Sequence, residues 1–147
     1  MQNITIDTIK ALIEAATVPF TIHAVALFGS AASGKATESS DFDLLVIADG
    51  LNEKYHRRSA EIVSIKHALP GLPLDVLLLT RAEAESNFDN HNPLFLDIAE
   101  QGVIVTDPDA FLGKLMQKTR EYIKARGLKK FRDAWRFPVK AGVATYL

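Results

Sequence analysis

The stretch GSAASGKATESSDFDLLV, residues 29–46, lies between two apolar runs, and the way it is read decides the fold. Its first seven positions match the phosphate-gripping pattern G-x-x-x-x-G-K-[ST], and they follow the strand-like run HAVALF of residues 23–28. Two facts defeat that match. Ala36 stands where the pattern needs a hydroxyl for Mg²⁺. A P-loop must also feed a helix whose N-terminus faces the phosphates. The next strand-like run begins near Asp41, which leaves only residues 36–40, barely more than one turn at about 3.6 residues per turn.

The same stretch divides naturally into two parts. Gly29 and Ser30 close the first strand, and the small residues Ala31, Ala32 and Ser33 open a short helix. Glycine lets a backbone come close to a phosphate, and the amides of a helix start attract anions. After ten intervening residues come Asp41 and Asp43, either side of Phe42. On a strand, residues i and i+2 share a face, so both carboxylates point one way while Phe42 points the other. Two hard oxygen ligands at this spacing suit a Mg²⁺ pair shared with a triphosphate. A third carboxylate, Asp75, opens the otherwise apolar run LDVLLLT of residues 74–80, where burial without a cation or hydrogen bonds is costly. Each part alone has an ordinary explanation: a turn, a solvated strand end, the last residue of a loop. Together, in this order, they point to a metal–nucleotide site.

Outward from the motif, apolar periodicity predicts a helix from Ile6 to Ala16 behind Thr5, and strands at 23–28, 42–48, 74–80 and 103–106. Helices are expected over 52–69 with Asn52 as cap, over 81–88, over 93–101 behind Pro93, and from Asp107 to Gly127 with Pro108 in the first turn. The tail from Leu128 onward shows no clean period. The fold class is therefore α/β (α+β), with one small mixed sheet of about four strands flanked by helices.

At 147 residues with 48% apolar and 24% charged residues, the chain suits one globular unit with a real core. The absence of cysteine excludes disulfides and thiolate metal sites. The first residues carry polar groups throughout, unlike a signal peptide, and no apolar run reaches the roughly 20 residues that span a bilayer. These features lead us to expect a cytoplasmic protein with no membrane contact. Charge is unevenly placed. Residues 1–112 hold 7 Lys and Arg against 16 Asp and Glu, a net −9, and residues 113–147 hold 10 against 2, a net +8. In the tail, Phe131, Trp135 and Phe137 alternate with Lys129, Lys130, Arg132, Arg136 and Lys140, which suits docking on the acidic body, a protein partner or a nucleic acid. His23, His56, His67 and His91 show no metal-ligand spacing.

The pattern Gly-Ser, ten residues, Asp-x-Asp and a later strand Asp resembles the nucleotidyltransferases of the DNA polymerase beta superfamily. The short chain is similar to its minimal nucleotidyltransferases, many of them antitoxins paired with HEPN-domain RNase toxins. The resemblance covers roughly residues 24–106, including PLFLDIAEQGVIVTD. It implies a polymerase-beta-like palm fold, with residues 1–106 as the nucleotidyltransferase domain and 107–147 as a C-terminal helix and basic aromatic tail. It assigns Gly29 and Ser30 to the triphosphate of ATP or another NTP. Asp41 and Asp43 become ligands of two Mg²⁺ ions, and Asp75 becomes a ligand of the catalytic ion and the base for the acceptor hydroxyl. Family members often carry arginines after the Gly-Ser, where this chain has Ala31 and Ser33, and Lys35 falls where an acidic residue is common. Lys35 or a tail lysine is expected to supply the missing positive charge. The implied activity is transfer of AMP to a hydroxyl of a HEPN toxin with pyrophosphate release. A non-catalytic nucleotide-binding antitoxin, and a transferase acting on RNA 3′ ends or a small molecule, stay open, as does a homo-oligomer.

Overall fold

The structure, a computed structural model, describes residues 6–33, 41–132 and 134–138. Four strands form a mixed sheet in the order β3-β2-β1-β4. β1 (Thr21–Phe28) runs antiparallel to both β2 (Phe42–Asp49) and β4 (Val103–Thr106), and β2 runs parallel to β3 (Leu74–Leu79). The two central strands are almost wholly apolar because helices cover both faces of the sheet. On one face Val25, Leu27, Leu44 and Val46 pack with Ile9 and Ile13 of α1 (Ile6–Ala15) and Ile65 of α3 (Ser59–Ala68). On the other, Ala24, Ala26, Leu45 and Ile47 meet α4 (Arg81–Asp89), α5 (Pro93–Gln101) and α6 (Phe111–Arg126) through Phe88, Phe95, Ile98, Leu112 and Met116. A five-residue helix, α2 (Gly29–Ser33), follows β1 directly, as its small residues suggest. The predicted mixed sheet of four strands flanked by helices is what forms.

Three expectations need correction. The helix expected over residues 52–69 is interrupted. Its first part is a turn with a single 3₁₀ turn at Tyr55–Arg57, and α3 begins only at Ser59. The cause is Arg58, 2% exposed, whose guanidinium turns inward to the carbonyls of Asn52 and Leu78 and the carboxylate of Glu83. Asn52 still caps, but locally, accepting from the Lys54 amide. The last helix starts at Phe111 rather than Pro108. Asp107 caps it across the intervening turn, its two carboxylate oxygens accepting from the Leu112 and Gly113 amides. Gly127 ends it as expected, in the left-handed conformation at φ 62°.

The tail is also more ordered than its sequence suggests. β5 (Lys129–Phe131) and β6 (Ala134–Arg136) pair as a small antiparallel hairpin. Trp135, 4% exposed, buries with Leu96, Ile123 and Leu128. Among the described residues no helix is long and apolar enough to cross a membrane.

Candidate active site

The motif residues meet where β1 ends and β2 and β3 begin. The Phe42 amide donates to the Pro73 carbonyl at 2.7 Å and sets the parallel register, in which Asp43 stands directly opposite Asp75. Neighbouring strands lie about 4.8 Å apart, so the two carboxylates are adjacent. Asp43 alternates with Leu44 and so shares the face of Leu45 and Ile47. Asp75 shares the face of Leu77 and Leu79, which pack in the same cluster. Both therefore project from one side of the sheet. Asp41, just before β2, is exposed and close enough for its charge to act on Asp43.

Gly29 lies against this pair. Its φ of +72° is left-handed, and a Cβ built there would overlap the Asp43 Oδ2. The glycine is thus required twice, by its backbone angle and by the carboxylate beside it. Ser30 follows in α2, half-buried, and its carbonyl accepts from the Ser33 hydroxyl at 3.3 Å. Lys35 lies outside the described residues.

Partial burial, then the charges of Asp75 and Asp41, hold the Asp43 carboxyl above the usual carboxylate range. Asp75 itself is exposed, so the expected cost of burying it does not arise; what marks it is its register with Asp43. The donor set is hard oxygen, which fits a divalent ion such as Mg²⁺, and a cation between the strands would relieve the repulsion on Asp43. Among the described residues no three acidic or imidazole groups close into a ready-made ligand cage. The carboxylates form an open cluster.

Asp43 and Asp75 line a cavity of about 460 Å³ together with Gly29, Tyr55, Leu94 and Asp97. The last three escaped the sequence reading. Asp97 left a weak signal, an acid set within the apolar run PLFLDIA at the start of α5, and Tyr55 and Leu94 left none. The Asp97 Oδ1 accepts from Lys130 Nζ at 2.6 Å and from Trp135 Nε1 at 2.9 Å, so the tail hairpin docks on the body next to this cavity. A larger cavity of about 570 Å³ opens at the opposite end of β1, lined by His23 and by none of the motif carboxylates. There His23 pairs with Asp49 at 2.6 Å, and the imidazole holds the Asp49 carboxyl below its usual range. His91 stacks on Tyr122.

Known structures of similar fold include a toxin–antitoxin complex with AMP-PNP, at 16% identity and TM-score 0.45 over 84% of this chain and 94% of that one. A mutant of the MntA–HpeT toxin–antitoxin complex aligns at 19% identity and TM-score 0.47 over 85% and 94%. The tri-AMPylated Shewanella oneidensis HEPN toxin in complex with MNT antitoxin aligns at 14% and 0.42 over 84% and 93%. No curated protein matches the sequence significantly. The model of the nucleotidyltransferase domain matches residues 9–105, a span that contains the Gly-Ser turn and all three aspartates. By that match the chain belongs to the nucleotidyltransferase domain family.

Proposed function

We propose that the protein transfers a nucleoside monophosphate, AMP from ATP in the first instance, to an acceptor hydroxyl and releases pyrophosphate. The observation that carries this reading is the register of Asp43 with Asp75, beside a glycine whose left-handed backbone leaves no free space for a Cβ against the Asp43 carboxylate. Gly29 and Ser30 receive the triphosphate, where the missing side chain lets the backbone approach. Asp41, Asp43 and Asp75 would hold Mg²⁺, which supplies neutralisation of phosphate charge when bound.

The residues of the chain do the rest by position. The acceptor oxygen attacks the α-phosphorus, the bond to the bridging oxygen of pyrophosphate breaks, and the acceptor proton passes to an Asp75 carboxylate oxygen. Asp75 suits that role because it is exposed, open to an incoming hydroxyl, and adjacent to Asp43. Asp43, more enclosed, keeps its carboxylate against Gly29 and orients the reacting phosphate. The minimal-nucleotidyltransferase motif supports a HEPN toxin as acceptor, with a tyrosine hydroxyl taking the AMP.

Labelled ATP, Mg²⁺ and a HEPN toxin test the reading, with Asp41→Asn/Asp43→Asn as control. Label on the toxin with wild type and none with the double variant is the expected result. Toxin neutralisation that survives in the double variant, without label transfer, would replace the enzyme with an antitoxin acting by binding.

A further inference from the structure

A second cavity, about 340 Å³, opens beside the carboxylate cavity and shares Tyr55, Leu77 and Leu94 with it as common walls. Its size falls in the range of about 300–1,000 Å³ usual for small-molecule sites. Tyr55 and Leu94 are 53% and 40% exposed, two large apolar side chains left to solvent where the cavities join. The Tyr55 ring is backed by the Arg58 guanidinium, 5.5 Å from its centroid. Arg58 is itself fixed by Glu83 at 2.6 and 3.1 Å and by the carbonyls of Asn52 and Leu78. The ring therefore rests on a rigid support rather than on a mobile surface chain.

The polar groups of the second cavity narrow its occupant. Glu83 is ionised well into the acid range: burial would raise its carboxyl, but hydrogen bonds from Arg58 and Thr80 and the guanidinium charge hold it below the usual value. Its negative charge is already met by the Arg58 guanidinium, and none of the residues lining the cavity is a cation that could receive a phosphate. Asn87 and Asn92 offer amides; the Asn87 amide nitrogen donates to the Glu83 carbonyl at 2.8 Å, and the Asn92 amide nitrogen donates to the Asn87 Oδ1 at 3.3 Å. Each nitrogen carries a second hydrogen, and each oxygen has further acceptor capacity. Apolar walls, an exposed ring and a donor–acceptor edge suit a flat, uncharged, hydrogen-bonding ring system.

We propose that this second cavity receives the base of the donor nucleotide, with Tyr55 stacking on it and the Asn87 amide meeting its edge. The proposal rests on the nucleotidyltransfer reading above. The shared walls then place the sugar at the Tyr55–Leu94 junction and the phosphates toward Gly29, Asp43 and Asp75.

Equilibrium binding of ATP and of inorganic tripolyphosphate, both with Mg²⁺, separates base from phosphate. Tyr55→Ala and Asn87→Ala should each weaken ATP, the former about tenfold, because a base stacked on an aromatic ring loses that contact. Tripolyphosphate affinity should be unchanged in both, and Tyr55→Phe should keep ATP affinity close to wild type. ATP binding indifferent to both alanine variants overturns the base cavity alone, as does an equal loss for both ligands. A wild type that binds neither ligand overturns the nucleotidyltransfer reading along with it.

Discussion

At the residue scale, the Asp43 carboxyl carries a strain that the reaction can use. Its folded-state value is raised by burial first, then by Asp75 and Asp41. A carboxyl whose value rises on folding destabilises the fold once ionised, so the folded state gains stability as pH falls through the window just above the ordinary 3.8. Asp43→Asn should therefore raise the thermal midpoint of the metal-free protein at pH 7 by about 2 °C, while cutting nucleotidyl transfer by about 10³-fold. Thermal melts with and without Mg²⁺ check the sign. A midpoint that falls on substitution, in the absence of metal, contradicts the repulsion. Gly29→Ala acts on the same pair from the other side. The new methyl meets the Asp43 Oδ2 at a left-handed backbone angle, which should cost about 2 kcal/mol in a urea titration and abolish transfer.

At the scale of elements, the pair that matters is Arg58 with Glu83. Glu83 is shared. It closes the capping box of α4 with Thr80 and clamps the guanidinium that turns the chain into α3. Arg58→Ala removes four hydrogen bonds and leaves Glu83 without its cation, so about 3 kcal/mol of stability should be lost in chemical denaturation. Glu83→Gln, which keeps a hydrogen-bonding side chain, should cost less. The same pair marks where the sequence stopped being legible. The sheet could be read because the runs around each Asp are strongly apolar and bounded by turn residues; that Asp75 would lie beside Asp43 came only from the family resemblance, since no local pattern says which strands pair. Residues 52–69 read as one helix because an inward arginine looks the same in sequence as an outward one; only its partners, the nearby Asn52 carbonyl and the distant Leu78 carbonyl and Glu83 carboxylate, break the helix. Tyr55, Leu94 and Asp97 escaped for a related reason, since each joins the site through packing between elements and not through a local pattern. The hairpin was missed because strands of three residues are too short for any period to show.

At the scale of the whole molecule, the tail hairpin meets the acidic body at Asp97, and two different forces act there. Lys130 donates to the Asp97 Oδ1 at 2.6 Å with both side chains about a third exposed, so water and salt screen the pair. Trp135 donates to the same oxygen at 2.9 Å but also buries its ring against Leu96, Ile123 and Leu128. The charge asymmetry suggests that attraction docks the tail; the burial says that the ring does. The magnitudes differ enough to decide. A partly exposed ion pair contributes up to about 1 kcal/mol, whereas truncating a buried tryptophan costs about 3–5 kcal/mol. Lys130→Ala should thus shift the urea midpoint little, and high salt should shift it little as well, while Trp135→Ala should lower it sharply. Because Asp97 also lines the carboxylate cavity, freeing the hairpin with Trp135→Ala should reduce nucleotidyl transfer as well, even at temperatures where the rest of the fold is intact. Equal losses from Lys130→Ala and Trp135→Ala, both restored toward wild type at low ionic strength, would instead make electrostatic attraction the docking force.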